Sequence, residues 1–129
     1  MITCKLHKNQ QITEIHYEGD VHLDELVDFI DSMNASKDLP RKLKTIAFTT
    51  KANFKFTHSD LEPIVEAMGR SSKKFDSIKE AFIVDSPHNT VLVTTFKIMN
   101  LKTSNYRIEL FSTKEAAFRW QGIDYLEED

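Results

Sequence analysis

The stretch Ile78–Leu110, IKEAFIVDSPHNTVLVTTFKIMNLKTSNYRIEL, decides the fold. It opens with Ile78 to Val84, a run of strand length rich in apolar residues. Asp85-Ser86-Pro87 then turns the chain and starts a helix with proline in its first turn. Val91, Leu92, Thr95, Phe96 and Met99 recur at helical spacing and predict the buried face of that helix. Tyr106, Ile108 and Leu110 alternate as a further strand. Strand, helix and strand in that order call for a right-handed crossover between parallel neighbours.

Upstream, Leu43 to Phe48 is a short apolar run that reads as a central strand, followed by a loop over Thr50–Thr57. A second helix begins near Ser59, where Ser59 and Glu62 have capping-box spacing and Pro63 sits in the first turn. Leu61, Ile64, Val65 and Met68 line its inner face. Earlier still, Leu23, Leu26, Val27, Ile30 and Met33 form one helical stripe, while Asp24, Asp28 and Asp31 form another. Ile2, Cys4 and Leu6, then Thr13, Ile15 and Tyr17, alternate on either side of the polar turn Lys8-Asn9-Gln10. They predict an antiparallel hairpin that Gly19-Asp20 ends. Downstream, Ser112 and Glu115 open a short helix through Trp120, with Gly122 near its C-cap. The expected class is α/β, in the order β-β-α-β-α-β-α-β-α. It has a mixed, mainly parallel sheet of about five strands with an N-terminal antiparallel hairpin, flanked by about four helices. Residues 1–122 form the domain and 123–129 an acidic tail.

The 129 residues suffice for one core, and 40% hydrophobic with 29% charged residues is the composition of an ordinary globular domain. Three Gly and three Pro leave no long flexible linker. A net charge of −3 gives no basis for nucleic acid as a partner. The lone Cys4 cannot form an internal disulfide, which points to a reducing compartment. Its place on the apolar face of a strand predicts a buried, inert thiol. No apolar run approaches a membrane span, and the first eight residues are too polar for a secretory leader. The expected location is the cytoplasm.

The C-terminal stretch Arg107-Ile-Glu-Leu-Phe-Ser-Thr-Lys-Glu-Ala-Ala-Phe-Arg-Trp120 ends a strand in Phe111, follows it with a polar cap and a Glu-Ala pair, and closes a helix on Trp120. With the hairpin ending in Gly19 and running directly into a helix, it resembles the SpoIIAA-like family, STAS/SEC14-like domains akin to anti-sigma-factor antagonists. The resemblance covers residues 1–122 by element order and implies a regulatory or binding module. The antagonists carry an Asp-Ser-Ser/Thr-Gly-type phosphoacceptor motif after the third strand. This chain has Ala47-Phe48-Thr49-Thr50-Lys51-Ala52-Asn53-Phe54 there, so that switch is not carried over.

Candidate chemistry is sparse. His7, His16, His22, His58 and His88 lack metal-ligand spacing, although His22, His58 and His88 each lie near a predicted helix start. Asp85, Ser86 and His88 are neighbours in a turn, where a capping role outweighs a triad. The only glycines, Gly19, Gly69 and Gly122, build no phosphate loop. Charge is segregated: seven acids and no Lys or Arg lie between Glu14 and Asp31, then six basic residues and one acid between Lys37 and Lys55. The acidic stripe Asp24, Asp28 and Asp31 could meet a basic protein partner. Phe54 and Phe56, two aromatics in the predicted loop, are the other candidate binding residues. The reading is a non-enzymatic binding or regulatory module acting through protein contact, without cofactor or metal. Its alternative is an apolar-ligand or lipid domain with a pocket lined by Phe54, Phe56, Leu61 and Phe96. A homodimer is expected, because two-fold dimers are the commonest oligomer and the Phe-bearing loop needs a cover.

Overall fold

A computed structural model describes residues 1–9 and 11–123. Among them the elements run β1 (Ile2–His7), β2 (Ile12–Val21), α1 (Leu23–Ala35), β3 (Lys42–Phe54), a 3-10 turn (His58–Asp60), α2 (Glu62–Lys74), β4 (Ser77–Ile83), α3 (Pro87–Met99), β5 (Tyr106–Phe111) and α4 (Lys114–Trp120). The sheet order is β1-β2-β3-β4-β5, antiparallel at β1–β2 and parallel elsewhere. This is the α/β class and element order that the periodicities predict. Of the expected acidic tail 123–129, residues 124–129 lie outside the described residues.

Because each parallel strand lies next to the one before it, right-handed crossovers deliver α1, α2 and α3 to one face of the sheet. The larger core forms there, with Leu26 and Ile30 of α1, Ile64 and Met68 of α2, and Leu92 and Phe96 of α3 over Ile15, Ala47, Ile78 and Ile108. The opposite face is covered by α4, whose Ala117 and Phe118 pack on Ile12, Ile46, Ala81 and Ile83. That seven-residue helix is too short to stand alone. Gln121, 1% exposed, ties its end down by donating from Nε2 to the carbonyls of Thr45 (3.0 Å) and Lys79 (2.7 Å). Lys44 and Lys79 reach from the sheet to the terminal carbonyls of Gln121 and Trp120, placing two cations at the negative helix end. Lys79 also lies over the Trp120 ring at 4.4 Å. Burial, with Arg107 and Lys44 nearby, lowers its pKa from the ordinary lysine value.

Several boundaries differ from expectation. β3 continues through Phe54, so the loop expected over Thr50–Thr57 is strand for most of its length. β2 likewise passes Gly19, which takes φ +69°, and ends at Val21. Past a register shift between His16 and Glu18, the two extensions pair with each other, Glu18 with Lys51 and Val21 with Phe54. Helix starts use other caps: Thr57 with Asp60 around the 3-10 turn, and Thr113 rather than Ser112, its hydroxyl accepting from the Ala116 amide at 3.2 Å. Ser86 does cap α3, accepting from the Asn89 amide at 3.2 Å. Cys4 is exposed, not buried, because β1 is an edge strand with little laid over it. Partial burial still pushes its thiol pKa up.

α3 is turned relative to its predicted face. Its buried residues are Asn89, Leu92, Val93 and Phe96, while Val91 and Met99 face solvent. Asn89 and Asn100 occupy inward positions because their amides bond to backbone, Asn89 to the Thr49 carbonyl (3.0 Å) and Asn100 to that of Phe96 (2.8 Å).

Candidate functional site

The strand extensions of β2 and β3 carry Tyr17 and Phe54 past the end of β4 on the three-helix side. Phe54 meets Tyr17 edge-on at 5.5 Å and Phe56 at 5.6 Å. Each phenylalanine is only 8% exposed. Between this aromatic wall, the helices and the sheet lies a cavity of about 80 Å³. Phe54, Phe56, Leu61 and Phe96, the four residues expected to line an apolar pocket, all line it. Of the lining residues, only Phe29, Met33 and Asn34 are more than slightly exposed, and all three belong to α1.

The floor of the cavity carries a buried carboxyl, Glu80, 6% exposed, and the lining also includes the polar side chains of Thr45, Ser71 and Asn34. Its carboxylate accepts from the Tyr106 hydroxyl at 2.5 Å, and Thr45 stands opposite it in the β3–β4 register. Burial raises the Glu80 pKa above the usual carboxylate range, against the opposing pull of the Tyr106 and Thr45 hydroxyls. Burial, and then the Glu80 carboxyl, push the Tyr106 phenol well up. Tyr17 is shifted the same way by burial, with Glu80 and Cys4 adding to it. The floor thus presents a protonatable carboxyl among phenols in an apolar surround.

The acidic stripe does not join this site. Asp24 and Asp28 are exposed on α1, and Asp31 is held by Arg70 of α2 in a forked ion pair at 2.9 Å. Because Phe54 and Phe56 are covered by the chain itself, they give no reason for a second copy to cover them. Thr49 has no exposed surface and donates its hydroxyl to the Ile83 carbonyl at 2.7 Å, which makes it a stitch between strands.

His22, His58 and His88 do begin their elements at one end of the sheet, since β2 runs parallel to β3. They do not converge. His88 contacts the Phe54 carbonyl at 3.2 Å, and Ser86 faces its own helix amide. On the sheet face that carries α4, His7 and His16 share the Glu14 carboxylate at 2.5 and 2.9 Å, and His16 stacks on Phe48 at 4.3 Å. Sequence reasoning missed this trio, although the hairpin register opposing Lys5 to Glu14 and Thr3 to His16 puts all three on one face. Among the described residues no group of three His, Cys, Asp or Glu side chains could hold a metal ion, and no helix is long and apolar enough to cross a membrane. No protein-family model matches the chain, and no curated protein matches it either.

Proposed function

We propose that this chain is a non-enzymatic binding domain for a small apolar molecule, taken up in the cavity beneath α1, α2 and α3. The observation that supports it is the cavity itself: about 80 Å³, walled by aromatic and aliphatic side chains. At roughly 24 cal/mol per Å³, an unfilled apolar void of that size costs the fold about 2 kcal/mol, a cost that a fitted ligand removes. Predominantly apolar voids take up apolar guests. The size argues against a whole lipid, since pockets for drug-sized ligands run from about 300 Å³ upward. Glu80, oriented by its bond from Tyr106, gives the ligand one polar anchor, suited to a single hydroxyl or similar donor. The SpoIIAA-like element order fits a binding module, and α1, which carries the most exposed lining residues among those described, is the entrance this reading assigns.

Xenon is the probe that tests this reading. Under xenon pressure, methyl resonances of Ile30, Ile64 and Leu92 should shift together, and Leu92→Phe, which fills the space, should abolish the shifts. Native mass spectrometry of freshly purified protein should show a retained small mass that the same variant lacks. If xenon moves no lining methyl, or moves them equally in Leu92→Phe, the cavity is not a binding site.

A further inference from the structure

Four of the five large apolar residues most exposed among the described residues lie on α3 and the turn after it: Val91 (50%), Ile98 (61%), Met99 (43%) and Leu101 (69%). α3 flanks β5, an edge strand left unpaired among the described residues, and Lys97 of α3 pairs with Glu109 of β5. Along that edge runs a groove of about 400 Å³ whose lining includes Lys97, Leu101, Arg107, Ile108, Glu109 and Trp120. The amides of Ile78 and Val84 bond to the carbonyls of Asn105 and Phe111, so the odd-numbered residues of β5 face β4. Ile108 and Leu110 therefore turn their N–H and C=O groups outward, as a template for another strand.

We infer that this edge pairs with β5 of a second copy, antiparallel about a two-fold axis through Ile108. The sequence of the strand is self-complementary in that register. Arg107 comes opposite Glu109 of the second copy, and Glu109 opposite its Arg107, on the α4 side of the sheet, where the arginine takes over the carboxylate that Lys97 of α3 holds around the strand edge in the single chain. Ile108 meets its own copy as a hydrogen-bonded pair. On the other side the two α3 helices approach each other across the axis, and Ile98 and Leu101 cover their counterparts. Edge strand β1 has no such pattern: it carries Lys5 and no acid, so self-pairing there sets like charges together. The partner is thus a second copy of this chain, joining two sheets at their β5 edges.

Sedimentation velocity of the full chain, from low to high micromolar concentration, tests the assignment, with circular dichroism confirming that each variant folds. The chain should sediment as a dimer. Arg107→Glu should weaken the dimer about tenfold by opposing like charges at two symmetric positions, and Arg107→Glu combined with Glu109→Arg should recover much of it. Leu101→Asp, a change at an exposed site that leaves the fold intact, should give a monomer. A monomer at every concentration overturns the inference, as does a dimer that Leu101→Asp and Arg107→Glu leave unchanged.

Discussion

Glu80 is a carboxyl placed where a chain of this kind would ordinarily put an aliphatic side chain. Its pKa is raised in the folded state, so folding favours the protonated form. That contribution is fully present below the ordinary carboxylate value and is lost as pH rises through the raised folded value. Urea midpoints of the native chain should therefore fall across that window. In Glu80→Gln, which keeps an acceptor for Tyr106, the fall should vanish and the chain should gain about 1 kcal/mol at neutral pH. Tyr106→Phe removes the hydroxyl and leaves the carboxyl without its donor, at a cost of roughly 1–3 kcal/mol. Adding Glu80→Leu to it should recover part of the loss, which a double-mutant cycle would measure. The sequence held the clue to Glu80, because it shares the parity of Ile78 and Phe82, a charged residue on an apolar row. What hid it was the hydroxyl partner, supplied from a different strand at a register that no single sequence states. Cys4 went the other way: its alternation was real, but an edge strand has less to bury against.

At the scale of elements, local periodicity located each helix and strand, and errors arose where tertiary partners decided the outcome. Val91, Leu92 and Val93 in succession leave the inward face of α3 undetermined, and buried amides of Asn89 and Asn100 settle its rotation. The end of β3 was legible in principle, since Ala52, Phe54 and Phe56 alternate with Lys51, Asn53 and Lys55. α4 depends most on its neighbours. Gln121→Ala deletes both bonds from its buried side chain to β3 and β4 and should cost roughly 1–3 kcal/mol. Amide exchange in α4 should accelerate by more than the global loss accounts for, which native-state hydrogen exchange would detect. Lys79→Met, removing the carbonyl contact with Trp120, should loosen the same helix while leaving α1–α3 protected.

For the whole molecule, the element order predicted the class, the hairpin and the parallel remainder. The cavity was legible only as a set of apolar residues; its existence depends on how three helices share one face. Filling it tests that packing directly. Val93→Ile should raise stability by about 0.5–1 kcal/mol if the added methyl enters the void, and should lower it if the site is already tight. Chemical denaturation distinguishes the two signs. The strand order β1-β2-β3-β4-β5 has a bearing on how the chain acquires its structure. Each strand hydrogen-bonds to the one synthesised just before it, across one hairpin turn or one crossover helix. Each parallel pairing still closes a loop that holds a whole crossover helix, as between Ile15 and Ala47, and that loop entropy slows formation of the sheet. During translation the sheet can grow by one crossover at a time as the polypeptide leaves the ribosome, with β5 completing it last.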